Sequence, residues 1–303
     1  MYKVILDTDI GDDIDDAIAL ALAVNRAEID LVGVVTTYRN SYMRAKIAMA
    51  LLDGWNRMDI PVCIGNDDPL KQAYYYFPYE KRDEKGKPII GHYEDYMKDF
   101  QECSESGLEF MARAVRENPN EITLVAIGPL TDVAKFIQEY PTEYALLKEV
   151  VIMGGRFDED RAEWNIKCDP EAAAIVLASE QKIRLVPLDV TLKCVFSKEQ
   201  VERLHDGCVG NKRLSKMIDV WLTNSRNRTM PILHDPLALA SVFSDFCDFT
   251  PKKVRVALEG NERGRTIFDE EGKEILVSLT VKAKDFTDFV CDSLCKSKLG
   301  GAK

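Results

Sequence analysis

Short, nearly continuous apolar runs alternate with helix-forming stretches through the first two-thirds of this chain. The runs span residues 3–7, 31–36, 61–64, 122–127, 150–153 and 183–188. A strand with one wet face would alternate apolar and polar residues; a continuous run belongs to a strand covered on both faces. Residues 15–24, 42–52, 107–117, 131–138 and 170–178 lie between and after the runs and carry helix-favouring residues. This rhythm points to an α/β fold with an open, mainly parallel, Rossmann-like sheet flanked by helices. Farther on, residues 197–204, 214–224 and 236–241 read as helices. Residues 254–258 and 275–282 read as a C-terminal hairpin around a polar connection, and 285–294 as a closing helix. No repeat, low-complexity tract or linker breaks the series, so residues 1–303 read as a single domain.

The first run leads directly into six aspartates within ten residues: Asp7, Asp9, Asp12, Asp13, Asp15 and Asp16, with Gly11 among them. At an effective dielectric of ~20, two unit charges ~4 Å apart repel by about 4 kcal/mol. Such a cluster must be solvated, protonated or bound to a cation, and a hard divalent ion with oxygen ligands meets the need most simply. Some of these acids also suit the N-terminus of the helix expected from residue 15, where negative charge is favoured. An EF-hand does not fit, because the twelfth position counted from Asp7 is Ile18 and a strand precedes the loop.

Composition narrows the partners. With 51 acidic against 40 basic residues the net charge is −11, and no basic stripe offsets it, which speaks against a nucleic-acid polymer as partner. No run of ~18 apolar residues is present, so no membrane span is expected. Met1-Tyr2-Lys3 enters a strand without a signal-peptide layout. Eight cysteines are scattered without a CxxC pair, as small core residues in a reducing compartment would be, and a cytoplasmic location is expected. Cys291 and Cys295 fall on one helix face, but nothing beside them suggests a metal site.

Residues 66–100 break the rhythm. They contain Tyr74-Tyr75-Tyr76-Phe77-Pro78-Tyr79 followed by a charged stretch. A long irregular insertion in a compact domain is uncommon and often functional. An aromatic lid over a planar ligand, an oligomer contact and satellite core are the three readings.

Ligands of open α/β sheets bind at the carboxyl ends of the strands. There the sequence places the aspartate cluster, then Thr36-Thr37-Tyr38-Arg39-Asn40, Ile127-Gly128-Pro129-Leu130-Thr131-Asp132, Met153-Gly154-Gly155 with Glu163-Trp164-Asn165, and His234-Asp235-Pro236. These define an acidic pocket with amide and carbonyl groups, suited to a metal and a polyol. No GxGxxG or GxxxxGK[ST] phosphate cradle occurs.

This ordered set resembles the nucleoside hydrolases, the inosine-uridine-preferring nucleoside N-ribohydrolase family. The resemblance starts at Asp7-Thr8-Asp9-Ile10-Gly11 and Asp15-Asp16-Ala17. It runs through Gly65, the 127–131, 153–155 and 163–165 motifs and Asp169-Pro170-Glu171-Ala172-Ala173 to His234-Asp235-Pro236-Leu237-Ala238 and Gly264-Arg265-Thr266. Any one motif is weak; the ordered series is specific and covers nearly the whole chain.

The resemblance implies calcium-dependent hydrolysis of the N-glycosidic bond of ribonucleosides, in a homodimer or homotetramer. It implies a Ca²⁺ ion held by Asp9, Asp16, Asp235 and the backbone carbonyl of Ile127, with Asp9 also the general base. Asp15, Asn40, Met153, Glu163, Trp164 and Asn165 would bind the nucleoside, and His234 would assist the departing base. The chemistry suits these residue types. Cleavage builds oxocarbenium character on the ribose, which an anionic pocket stabilises. A histidine is suited to protonating a leaving group near neutral pH. Of the three histidines, His92, His205 and His234, only His234 adjoins a site acid.

The chain departs from the family pattern in the acidic loop, which is two residues longer, so that Asp12 or Asp13 is an alternative ligand. A usual asparagine before Glu163 has no clear match among Asp158, Glu159 and Asp160, and Ile127 stands where threonine is usual. Arg226 and Arg228 read as solvated surface or as groups facing the base. Two alternatives remain at this stage. One is a haloacid-dehalogenase-like, Mg²⁺-dependent phosphatase with Asp7 as nucleophile; the other is a non-catalytic nucleoside- or calcium-binding protein on the same scaffold.

Overall fold

A computed structural model describes residues 1–205, 209–224 and 230–296; Cys208, Arg226 and Arg228 lie outside the described residues. The elements run β1 (Tyr2–Thr8), α1 (Asp15–Asn25), β2 (Ile29–Thr36), α2 (Ser41–Gly54), β3 (Val62–Ile64), α3 (Gly107–Glu117), β4 (Ile122–Ala126), α4 (Thr131–Glu139), α5 (Pro141–Ala145) and β5 (Glu149–Met153). They continue with α6 (Trp164–Cys168), α7 (Pro170–Leu177), β6 (Ile183–Val186), α8 (Leu188–Thr191), α9 (Lys198–Arg203), α10 (Val209–Asn224), α11 (His234–Ala240), β7 (Cys247–Val256), β8 (Thr266–Phe268), β9 (Lys273–Val281) and α12 (Ala283–Cys295).

Among the described residues nine strands form one sheet in the order β3-β2-β1-β4-β5-β6-β9-β7-β8. The pairings from β3 through to β9 are parallel, while β7 runs antiparallel to β9 and β8. The continuous apolar runs have the reason anticipated for them. Val4, Leu6, Val34, Val125, Val151 and Val186 pack into a core with α1, α2 and α11. Their neighbours Ile5, Val35, Leu124, Val150, Ile152 and Leu185 pack on the opposite face with α3, α4 and α7. Successive residues thus enter different cores, as the two-residue period of a strand requires.

The chain steps from β1 outward to β2 and β3, then crosses to the other side of β1 to start β4. The strand order reverses there, and such a switch point opens a crevice at the carboxyl ends of the strands. Asp9, Ile127 and Met153 follow from the ends of β1, β4 and β5.

Several boundaries differ from the sequence reading. β6 stops at Val186 because Pro187 has no N–H to donate, and the Leu188 amide turns to the Gly155 carbonyl at 2.9 Å to start α8. The C-terminal hairpin is larger than expected. β7 begins at Cys247 and includes Pro251, which pairs with Leu276 of β9; β8 reaches only as far as Val254, so at Pro251 the other side of β7 is an edge where a missing N–H costs no ladder bond. β8 itself lies in the polar connection between the two expected strands. Residues 66–100 are mostly irregular, with one 3₁₀ turn at Asp95–Asp99. Among the described residues, no helix is long and apolar enough to cross a membrane.

Candidate active site

α1 begins at Asp15, so Asp15 and Asp16 occupy its first turn, where the exposed amides and the helix dipole favour negative charge. α11 packs against α1 and brings in Asp235 as its second residue. One carboxylate oxygen from each of Asp15, Asp16 and Asp235 lies within 4.8 Å of the other two, and all three side chains are buried. The Asp235 amide donates to Asp15 Oδ2 at 3.3 Å, and the Thr8 hydroxyl donates to Asp16 Oδ1 at 2.5 Å. Burial, then the charge of Asp13, pushes Asp15 up to about 8. Burial and the neighbouring aspartates likewise raise Asp16 and Asp235 far above the ordinary carboxylate range. Three such groups, with only oxygen to offer, form a site for a hard cation such as Ca²⁺ or Mg²⁺ rather than a thiophilic metal.

Asp9 stands beside this trio, half-buried, and its charge acts on both Asp16 and Asp235. Burial raises it to about 6, with the Arg44 guanidinium opposing the shift. Arg44 is fully buried on α2. It donates to the carbonyls of Asp9, Ile10 and Tyr38 and to Asp12 Oδ2 at 2.8 Å. Arg39 reaches the same Asp12 oxygen at 3.3 Å. Burial alone would raise Asp12, but the two arginines outweigh it and hold the carboxyl below its ordinary range. Asp13 Oδ1 accepts the Ile14 amide at 2.8 Å. The longer acidic loop therefore commits Asp12 to arginine pairing and Asp13 to a backbone bond at the start of α1.

The opposite wall comes from β4, β5 and α6. Glu163 caps α6 and accepts the amides of Asn165, Ile166 and Gly155 at 2.9, 3.1 and 3.1 Å; burial still pushes it up to about 7 against those bonds. Asn165 Nδ2 donates to the carbonyls of Ile127 at 2.9 Å and Met153 at 3.2 Å. Trp164 is 38 % exposed and stacks on Phe77 at 5.9 Å between ring centroids, with Tyr75 at 5.5 Å. The tyrosine-rich segment thus packs Tyr75 and Phe77 against Trp164. Asn40 caps α2 through the Met43 amide and donates to the Pro88 carbonyl at 3.0 Å, which ties it to the irregular segment.

His234 opens α11, with Nδ1 2.7 Å from the Thr191 hydroxyl. His92 is buried by the acidic loop; its amide donates to the Gly11 carbonyl and burial lowers its side-chain pKa. Asp7 lies wholly buried beneath the site, with both carboxyl oxygens unpartnered among the described residues. Burial, then Asp132 and Asp9, raises its pKa well above the ordinary carboxylate range. A carboxyl sealed from solvent is out of a substrate's reach, as a phosphatase nucleophile must not be.

Sequence reasoning did not anticipate Arg44 or Glu80, and it placed Tyr38 and Arg39 at the pocket without the contacts they make. A usable signal existed for Arg44: an acidic cluster needs a buried cation, and Arg44 and Lys46 interrupt an otherwise apolar helix. None existed for Glu80, forty-one residues from the arginine it meets.

An α/β sheet whose switch point carries a buried carboxylate trio and an amide-lined wall has the acidic, hydrogen-bonding crevice that suits a polyol-bearing substrate. Comparison with known proteins makes this specific. The family model for inosine-uridine preferring nucleoside hydrolase matches residues 4–288. "Probable uridine nucleosidase 2" of Arabidopsis thaliana is 31% identical, covering 97% of this chain and 98% of the relative. "Non-specific ribonucleoside hydrolase RihC" of Escherichia coli strain SMS-3-5 is 32% identical, covering 96% and 97%. Among solved structures, a plant nucleoside hydrolase, the PpNRh1 enzyme, superposes with a TM-score of 0.85 at 26% identity, covering 97% of this chain and 99% of the other. A purine-preferring ribonucleoside hydrolase from Gardnerella vaginalis gives 0.82 at 25%, covering 97% and 98%. The chain belongs to the inosine-uridine preferring nucleoside hydrolase family and is an N-glycosyl hydrolase acting on ribonucleosides. The phosphatase and non-catalytic alternatives are thereby set aside.

Proposed function

We propose that this protein hydrolyses the N-glycosidic bond of free ribonucleosides with a calcium ion as cofactor, held by Asp9, Asp16, Asp235 and the Ile127 carbonyl. The observation that carries the reading is the buried trio of Asp15, Asp16 and Asp235, one oxygen of each within 4.8 Å of the others, beside the half-buried Asp9. When bound, the ion orients the attacking water and the sugar hydroxyls and lowers the pKa of that water. Asp9 takes the water's proton, a role suited to a carboxylate raised towards neutrality but still ionised at pH 7. Asp15 meets a ribose hydroxyl. Asn40, Glu163 and Asn165 hold the other sugar oxygens beside Met153 and Trp164. The surrounding negative charge stabilises the oxocarbenium character that develops as the bond breaks.

His234 supplies the proton to the leaving base. As an imidazolium it would donate from Nδ1 to Thr191 Oγ1, whose own hydrogen goes to the Leu188 carbonyl at 3.3 Å, and this ordered chain fixes the ring. Replacing His234 with alanine lowers kcat on inosine or uridine by about 10²-fold, the lower end of what general acid catalysis supplies. The same variant cleaves p-nitrophenyl riboside nearly as fast as wild type, because that leaving group departs without a proton. Equal losses on both substrates would reject the assignment.

The direct test of function is ribose release from inosine, uridine, adenosine, guanosine and cytidine, before and after chelation. Release that stops with EGTA and returns with Ca²⁺ is expected for at least one nucleoside. Release indifferent to chelation would overturn the calcium assignment.

A further inference from the structure

Tyr38 and Arg39 are consecutive non-glycine residues with φ of 70° and 68°. Side chains rarely adopt this left-handed backbone, and where it persists the surrounding structure must hold it there. Here the Tyr38 and Arg39 amides donate to the carbonyls of Asn66 and Asp67, at 2.6 and 2.7 Å. The strained turn aims two buried side chains at the irregular segment. The Tyr38 hydroxyl accepts the Tyr75 amide at 3.0 Å. Arg39, only 3 % exposed, pairs through Nη2 with Glu80 and through Nη1 with Asp12, and its guanidinium lies 5.7 Å from the centre of the Phe77 ring. Glu80 uses its second oxygen to accept the Phe77 amide at 3.0 Å. Phe77 stacks on Trp164, between Glu163 and Asn165 in the chain. The same Asp12 oxygen is held by Arg44, which also grips the Asp9 carbonyl.

We propose that Arg39 is a positioning residue for nucleoside capture, fastening the Phe77 and Trp164 stack to the acidic loop so that the aromatic wall and the carboxylate site hold one geometry. The proposal rests on the nucleoside hydrolase reading given above. A buried guanidinium with an unpartnered Nε among the described residues, on a left-handed backbone, is an expensive way to stabilise a fold. It is an effective way to couple two loops, because the planar fork reaches two carboxylates at once. Lysine carries the charge but not the fork. The wall acts on ground-state and transition-state binding alike, so its loss is read in KM before kcat.

The test uses the full-length protein, with R39A, R39K, E80A, E80Q and the double variant R39A/E80A. Ribose release is measured beside acrylamide quenching of tryptophan emission. Trp55 and Trp221 are buried, so quenching reports mainly Trp164, and W164F identifies its share. R39A is expected to raise KM by about tenfold or more with kcat within about threefold, and to make Trp164 more quenchable. R39K falls between R39A and wild type. E80A raises KM similarly, and R39A/E80A is no worse than R39A alone, since both remove one coupled contact. The proposal is overturned if R39A leaves KM and quenching unchanged, if kcat falls while KM stays, or if the two alanine effects are additive. Should R39A fail to fold, R39K and E80Q carry the same comparisons. Absence of ribose release by wild type on every nucleoside would instead reject the underlying function, and the quenching arm would still report whether Arg39 holds the stack.

Discussion

Replacing Asp9 with asparagine lowers kcat for ribose release by about 10³-fold or more, while the protein still folds and still stacks Phe77 on Trp164. The size follows from two losses at one atom pair. Asparagine cannot accept the proton of the attacking water, and it removes one negative charge from the cation site. The neighbouring acids cannot take over. Asp15, Asp16 and Asp235 are buried together at the proposed cation position, and Asp7 is sealed from solvent below them. Asp12 is tied to Arg44 and Arg39. Asp13, which is also half-buried, accepts the Ile14 amide, and this leaves Asp9, half-buried beside the trio, as the proposed base. Its position also fixes the shape of the pH profile. Without a cation its pKa is about 6, set by burial against the pull of Arg44. A bound divalent ion favours the carboxylate further and lowers that value. The wild-type rate should therefore rise with pH through an acid limb at or below 6 and then level. In the asparagine variant the residual rate should lack that limb. A residual rate within tenfold of wild type, with the limb intact, would move the base to another residue.

The parts of this molecule that were legible in the sequence are those decided by neighbours in the chain. Buried parallel strands announce themselves as continuous apolar runs. α3 spans the residues read as helical, and Ser106 and Glu109 form a reciprocal cap at its start. The acidic loop and the polar groups following the strands could be assembled into one pocket because a parallel sheet gathers its strand ends at one edge. What was not legible depends on contacts across long stretches of sequence. β8, α5, α6 and α8 are each five residues or fewer, too short to show a period. Pro251 disguised the start of β7 because nothing in the sequence marks that position as an edge. The fates of Asp12 and Asp13 were open because two arginines from α2 and the turn before it decide them, and proximity in the chain does not reveal that meeting. Base preference belongs to the same class. Relatives of nearly equal identity carry names that divide between uridine and no single base. Overall likeness thus accounts for the bond cleaved and does not single out a base.

Chelated protein should lose thermal stability as pH rises from about 5 to 8, and saturating Ca²⁺ should abolish that slope. The sign comes from proton counting. Asp15 is held at about 8, Glu163 at about 7 and Asp9 at about 6 in the fold, against ordinary values of 3.8 for aspartate and 4.5 for glutamate. Between the ordinary and the raised values, the folded chain binds more protons than the unfolded chain. Stability must then fall with increasing pH throughout that interval, most of it lost by the time pH passes 8. Asp16 and Asp235, raised in the same direction by burial and by each other's neighbourhood, add to the slope. A divalent ion replaces those protons with a charge that favours every carboxylate around it, so its affinity grows with pH. At a hundredfold excess over Kd it contributes about 2.7 kcal/mol. For a chain of 303 residues that is a Tm gain of roughly 4 °C at pH 8, shrinking towards pH 5. Asp16→Asn separates the cation from the fold. Removing one of the crowded charges should raise the Tm of the chelated protein at pH 8, while the Ca²⁺ gain and ribose release both collapse. A chelated wild type whose Tm is flat or climbs between pH 5 and 8 would mean that the carboxylates already carry their counter-charge within the protein, and the cation would lose its place in the site.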